Sequence, residues 1–229
     1  MTIAQAPHGD RELASLAPDE LAEVIRFHNE RYWQADAPVI PDQDYDQLVE
    51  RLRRSDPLHP ALSELGAGAA PSTGDKVSHD PPMLSLGKCY SEQELHKWAK
   101  AYDGLLVASP KIDGAACSIR YSDEGRLLVA GTRGDGGRGE NITHNVIGVP
   151  NVPTQLPSAL MAARGACEVR GEVFMSLSNF AAVSELFANP RNVAAGSLKA
   201  KEQGAVAADQ LSFFAYDLLG WELGTEKEK

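Results

Sequence analysis

Residues 115–134 read AACSIRYSDEGRLLVAGTRG: two strand-like runs separated by Asp123, Glu124 and Gly125. A connection that short joins antiparallel strands, because a parallel neighbour needs a crossover of a dozen residues or more. Further strand-like runs are GLLVASPKI (104–112), ACEVRGEVF (166–174) and LSFFAYDLL (211–219). SNFAAVSELF (178–187) and RNVAAGSLKAKEQ (191–203) have a helical pattern instead. No internal repeat is visible. The expected fold class is α+β, with an antiparallel sheet from about residue 81 onward.

The first part of the chain has a different period. From Pro18 to about Ala35, Leu21, Val24, Ile25 and Phe27 fall at helical spacing, with Asp19 and Glu20 at the positive end of the helix dipole. Two prolines in DAPVIPD interrupt it. A second helix is expected from Asp42, read as its N-cap, to about Arg54. DPLHPALSELGAGAAPSTGDK (56–76) has no sustained period and reads as a linker. The organisation predicted is a helical module over 1–70, a linker over 71–80 and a second domain over 81–229.

Composition narrows the functional classes. With 229 residues, 43% of them hydrophobic, the chain can bury one good core and a small satellite. A formal net charge of −10 argues against a protein that coats nucleic acid, but a local basic groove remains compatible with it. Cys89, Cys117 and Cys167 are far apart and form no CxxC pair, which excludes a cysteine-rich zinc module and suits a reducing compartment. No apolar run is long enough to cross a bilayer and the N-terminus has no apolar signal core. A cytoplasmic protein without a membrane partner is expected.

Two stretches carry chemistry. In SPKIDG, Lys111 follows an apolar run and precedes an Asp-Gly turn. It is either a solvated charge at a strand end or a nucleophile, and a nucleophile needs desolvation or cationic neighbours to shed its proton. Arg133 is one candidate neighbour. GDGGRGE contains GxGxxG at Gly134, Gly136 and Gly139. The antiparallel setting argues against a dinucleotide-binding crossover unit, which leaves a hairpin exit or a backbone cradle for phosphates. In the helical module, Asp42, Tyr45 and Asp46 stand at i, i+3 and i+4 and share a face. With Tyr32 from the preceding helix they make either a polar, aromatic pocket or an ordinary solvated first turn.

SPKIDG, TRGDGGRGEN, EVRGEVF, FANPRNVAAGSLK and LSFFAYDL, in this order and at these separations, resemble the nucleotidyltransferase domain of bacterial NAD-dependent DNA ligases. HDPPMLSLGKCY resembles that family's strand just before the domain, and YWQADAPVIPDQDYDQL resembles its nicotinamide-mononucleotide-binding module. The resemblance covers about residues 17–220. It implies that Lys111 attacks the α-phosphate of NAD, expels nicotinamide mononucleotide and carries AMP to the 5′-phosphate of nicked double-stranded DNA, with Mg2+. It implies nucleotide contacts from Ser85, Leu86, Arg133 and Glu172, and nicotinamide contacts from Tyr32, Asp42, Tyr45 and Asp46. Arg191 and Lys199 are implied as nucleic-acid or phosphate contacts. No protein-held metal site and a monomer are expected.

The sequence departs from the family at three positions. Trp33 stands where the family has His, Ser109 where it has Glu, and Lys199 where it has a second Arg, which loses bidentate phosphate binding. The family's DGVVIK-like block and its DNA-encircling domains are not among the 229 residues. The sheet is therefore expected to be incomplete, with an open edge. A non-catalytic nucleotide- or nucleic-acid-binding remnant is the alternative reading. A nucleotidyltransferase using ATP or acting on RNA is a third, against which the nicotinamide module argues.

Overall fold

The computed structural model describes residues 16–33, 40–64, 75–187, 189–200 and 208–221. Helix α1 (Pro18–Trp33) carries Asp19 and Glu20 in its first turn, as its dipole favours. Leu21, Ala22, Val24 and Ile25 form a core with Leu48 and Leu52 of α2 (Asp42–Ser55) and Ala61 of α3 (Pro60–Glu64). His59 fastens that core. Its Nδ1 accepts the Ala61 N–H at 3.1 Å, so Nε2 bears the proton donated to Asp19 at 3.1 Å.

Two sequence expectations change here. Asp42 is the first residue within α2 and Pro41 holds the N-cap position, with its carbonyl accepting the Tyr45 N–H at 3.1 Å. An N-cap needs only extended dihedrals and a carbonyl, and Pro41 supplies both at φ −60° and ψ 151°. The stretch expected to be a linker contains α3 and runs into strand β1 (Lys76–Ser78). Ala35, the expected end of α1, lies outside the described residues.

After β1 and α4 (Glu92–Ala99) come β2 (Ala115–Tyr121), β3 (Leu127–Thr132) and β4 (Arg138–Glu140). Short helices α5 (Thr143–Val146) and α6 (Ser158–Arg164) precede β5 (Cys167–Met175). A turn of helix α7 (Leu177–Phe180), then α8 (Pro190–Lys199) and β6 (Leu211–Leu219), complete the described order. One sheet runs β3-β2-β5-β6 with every pair antiparallel, and β1 pairs antiparallel with β4 in a second, two-stranded sheet. The β2–β3 turn at Asp123 to Gly125 is closed by the Ser122 N–H donating to Arg126 O at 2.9 Å.

Period-two alternation divides the four-stranded sheet into two faces. Cys117, Ile119, Tyr121, Ala130, Val173, Met175 and Leu211 enter a core with Val146 of α5 and Val193, Ala194 and Leu198 of α8. The intervening residues Arg120, Glu168, Arg170 and Glu172 lie on the opposite, polar face. Cys117 and Cys167 are free, buried thiols of this core or its edge, and Cys89 is free and exposed. Among the described residues, no helix is long and apolar enough to cross a membrane.

Three other expectations are corrected. Residues 104–112 form no strand: no described neighbour pairs with them, and Leu105, Leu106 and Val107 are exposed. An apolar run becomes a strand only when another backbone satisfies its donors and acceptors. Residues 178–187 are helical only as far as Phe180 and continue as turns. The helix expected over 191–203 ends at Lys199, and 201–203 lie outside the described residues.

Candidate functional site

Register puts Glu172 of β5 between Ala116 of β2 and Phe214 of β6, on the polar face. Burial pushes its carboxyl pKa above the ordinary range; the charges of Arg191, Lys111 and Arg133 pull it partly back, and Asp113 adds to the rise. These four neighbours come from three separate places in the chain. Lys111 and Asp113 stand in the loop before β2, Arg133 just after β3, and Arg191 in the first turn of α8.

Local chemistry explains each placement. Gly114 lies so close to β5 that a Cβ there would sit 2.2 Å from Val173 O, so only glycine lets the Asp-Gly turn enter the sheet. Asn189 caps α8 by accepting the Asn192 N–H at 2.9 Å, and Pro190 occupies the first helical position. From the turn so defined, Arg191 Nη1 donates to Asp113 Oδ1 at 3.4 Å. The Arg133 N–H donates to Ala116 O at 3.1 Å, and its Nη1 reaches Ser85 Oγ at 3.4 Å. Lys111 itself is exposed, and the apolar residues before it provide no strand support. Leu86 is 75% exposed, so it belongs to neither apolar core.

The glycine loop is a tight turn between β3 and β4. Gly134 at φ 57° and Gly136 at φ 98° take left-handed conformations. Asp135 Oδ1 accepts the Gly137 N–H at 2.9 Å and the Arg138 N–H at 2.7 Å. Those donors are committed inside the turn, which matches the hairpin-exit reading and not the phosphate cradle. Arg133 therefore brings its side chain to the site while the loop behind it holds its own backbone.

Sequence reading missed Tyr216. The β5–β6 register slips between Arg170 and Gly171, whose partners are Asp217 and Ala215, so Tyr216 is the unpaired residue of a bulge. Burial raises its phenol pKa, Glu172 raises it further and Arg133 opposes the rise, which puts the half-exposed ring beside the same cluster. The aromatic content of LSFFAYDLL was visible in the sequence; the bulge that redirects one ring was not.

In the helical module Tyr45 and Asp46 face different partners. The Tyr45 hydroxyl donates to Asn29 Oδ1 of α1 at 3.3 Å, and burial raises its pKa to about 12. Asp46 Oδ2 accepts from both Lys88 Nζ and the Tyr90 hydroxyl, three and five residues beyond Ser85. Tyr32 is the penultimate residue of α1, and the side chains of Tyr32 and Asp42 lie outside the description. Lys199 pairs with Glu140 at 3.4 Å. Among the described residues, no group of three or more His, Cys, Asp or Glu is arranged to hold a metal ion.

Residues 72–228 match the family described as NAD-dependent DNA ligase adenylation domain, and residues 13–66 match the DNA ligase-like, N-terminal NAD+-binding domain. These two matches define the class: an NAD+-binding domain joined to an adenylation domain. The chain is 41% identical over 236 residues to a DNA ligase of Rhodopseudomonas palustris (strain BisB5), covering 92% of this chain and 33% of that protein. It is 40% identical over 230 residues to one of Nitrobacter hamburgensis, covering 90% and 32%, and 39% identical over 254 residues to one of Methylobacterium nodulans, covering 99% and 29%. The chain belongs to the NAD-dependent DNA ligase family, as the motif resemblance implies, and spans about a third of the length of these relatives.

Proposed function

We propose that this chain performs the first step of an NAD-dependent DNA ligase, transfer of AMP from NAD to Lys111. The observation that carries the reading is the grouping round the partly buried Glu172 of Arg191, hydrogen-bonded to Asp113 two residues from Lys111, and Arg133, whose backbone N–H bonds Ala116, the strand partner of Glu172. In the reaction the Lys111 amine attacks the α-phosphorus of NAD. A P–N bond forms, the lysine gives up its proton, and the P–O bond to nicotinamide mononucleotide breaks. Such a transfer depends on in-line placement and on positive charge around the phosphate oxygens. Arg133 and Arg191 supply that charge, and the Tyr216 ring is a surface on which adenine stacks. Tyr32, Asp42, Tyr45 and Asp46 of the helical module receive the nicotinamide nucleotide, and Ser85 and Leu86 line the adenosine side.

Magnesium typically binds one or two carboxylates together with substrate phosphates, not a complete cage of protein ligands. Glu172 with Asp113 nearby fits that mode, and the absence of a three-ligand cluster among the described residues is compatible with it. The ion would supply further neutralisation of phosphate charge. In the full reaction AMP passes to the 5′-phosphate of nicked double-stranded DNA and the 3′-hydroxyl displaces it. Arg191 and Lys199 are proposed phosphate contacts there. This role belongs to DNA replication and repair, in a cytoplasmic monomer with a helical module over 1–70 and a nucleotidyltransferase domain that β1 already joins through its pairing with β4.

Incubation with NAD and Mg2+, read by intact mass, tests the reading. A gain of one AMP that disappears in Lys111→Ala is expected, and a gain that survives this substitution refutes the assignment. The exposure of Lys111 and of the unpaired segment before it favours a second reading, a nucleotide-binding remnant without the chemistry. Binding of AMP with no mass gain would select it.

A further inference from the structure

The polar face of the sheet holds an ionic triad, two of its members buried, that the reaction does not consume. Glu168 Oε1 accepts from Arg170 Nε at 2.6 Å, and its Oε2 accepts from Arg120 Nε at 2.9 Å. Glu168 and Arg170 are both buried, and Arg120 stands directly opposite Glu168 in the β2–β5 register. With each Nε committed to the carboxylate, the outer guanidinium nitrogens reach over the sheet to backbone. Arg170 donates to Pro82 O at 3.2 Å and also to Pro81 O, and Arg120 donates to Ser78 O.

Ser78 ends β1, paired with β4, and the chain beyond it cannot extend that ladder through Pro81 and Pro82, which have no N–H. The same stretch is fastened sideways to the glycine turn. The His79 N–H donates to Gly137 O and the Met83 N–H to Gly136 O, each at 2.9 Å, while His79 Nε2 donates to Thr132 O at 2.8 Å. Two residues beyond Met83, Ser85 meets Arg133, which leads into that turn.

We propose that Arg170 and Arg120, joined through Glu168, are positioning residues that clamp residues 78–82 to the sheet so that Ser85 and Arg133 meet at the nucleotide site. The proposal rests on the reading of Ser85 and Arg133 as nucleotide contacts. It requires the planar fork of arginine, because each guanidinium must bind the carboxylate with one nitrogen and a carbonyl with another; a lysine ammonium does not span that geometry. Glu168 supports the same picture: burial alone would raise its pKa, yet the hydrogen bonds from Arg170 and Arg120 hold it below the ordinary range.

The test compares Arg170→Lys, which keeps the charge, with Arg170→Met and with the core variant Val193→Ala on the opposite face. Amide hydrogen exchange reports the clamp, and the NAD dependence of Lys111 adenylylation reports its use. In both Arg170 variants the His79 and Met83 amides are expected to exchange roughly tenfold faster or more. The NAD concentration for half-maximal adenylylation is expected to rise while the saturated rate changes less, a split that marks lost binding geometry. Val193→Ala should lower thermal stability and leave both readouts unchanged. In an Arg133→Ala background, Arg170→Lys should produce no further rise. Unchanged exchange in both Arg170 variants, an unchanged NAD requirement, or an additive effect with Arg133→Ala overturns the proposal. A wild-type chain that takes up no AMP defeats the functional reading instead, and the exchange data still decide the clamp.

Discussion

Glu172 is desolvated by its strand position while three cations stand round it, so its charge is sensitive to whatever occupies the face. Its pKa is raised on folding, so the folded protein holds the proton at pH values where the unfolded chain has already lost it. Stability from this group is therefore lost as pH rises through that interval. Glu172→Gln should melt with wild type under acid conditions and above it near neutrality. The same substitution should slow adenylylation by roughly tenfold or more, the loss of a charged hydrogen-bond partner at about 1.5–3 kcal/mol. In wild type, the acid limb of the adenylylation rate against pH should fall above the ordinary glutamate range. Equal melting of the two proteins at neutral pH would remove the burial argument. Lys111 and Arg133 stood out in the sequence beside an Asp-Gly turn and a glycine run, whereas Glu172, in the middle of β5, and Arg191 were pointed to by the motif resemblance alone. Tyr216 was hidden because its direction depends on a one-residue slip between β5 and β6, which no single strand encodes.

At the scale of elements, β2, β3, β5 and β6 were readable from alternation and from the three-residue β2–β3 turn. Strands β1 and β4 have three residues each, too few to show a period, and they exist because Val77 packs on Gly131 while their backbones pair. Residues 104–112 show the converse, an apolar run without a described partner strand. The β3–β4 turn depends on Gly134, where φ is 57° and a Cβ would lie 1.9 Å from Arg138 O. Gly134→Ala should cost at least about 1–2 kcal/mol, measured as a lowered denaturant midpoint, because a side chain in the left-handed region is strained even without the clash. Glu168→Ala should cost more, about 3 kcal/mol, by leaving the buried Arg170 guanidinium without its anion, while the one-third-exposed Arg120 is compensated by solvent. The lowered pKa of Glu168 gives the opposite pH sign to Glu172: its contribution is present above the ordinary carboxyl pKa and is lost as pH falls through the lowered one. At the sheet margin the Asn151 side chain accepts the Phe213 N–H at 2.8 Å and donates to Phe213 O at 2.7 Å, in the manner of a further strand. Asn151→Ala should expose that pair and raise concentration-dependent self-association, followed by light scattering.

The described residues hold two apolar cores, one in the helices and one under the sheet, in line with the composition-based expectation of one good core and a small satellite. Among the described residues a polar contact crosses between them: Asp46 of α2 holds Lys88 and Tyr90 from the segment that also carries Ser85. On the reading proposed for Asp46, nicotinamide mononucleotide must displace both groups before it can use that carboxylate. Lys88 and Tyr90 are then a tethered competitor, whose effective concentration at the carboxylate is set by chain length and does not fall on dilution. Asp46→Ala should weaken nicotinamide mononucleotide binding, read by tryptophan fluorescence. Lys88→Ala should strengthen it, most clearly at low ionic strength where the ion pair is least screened. Identical affinities in wild type and both variants would mean that the helical face is not where the nucleotide lands.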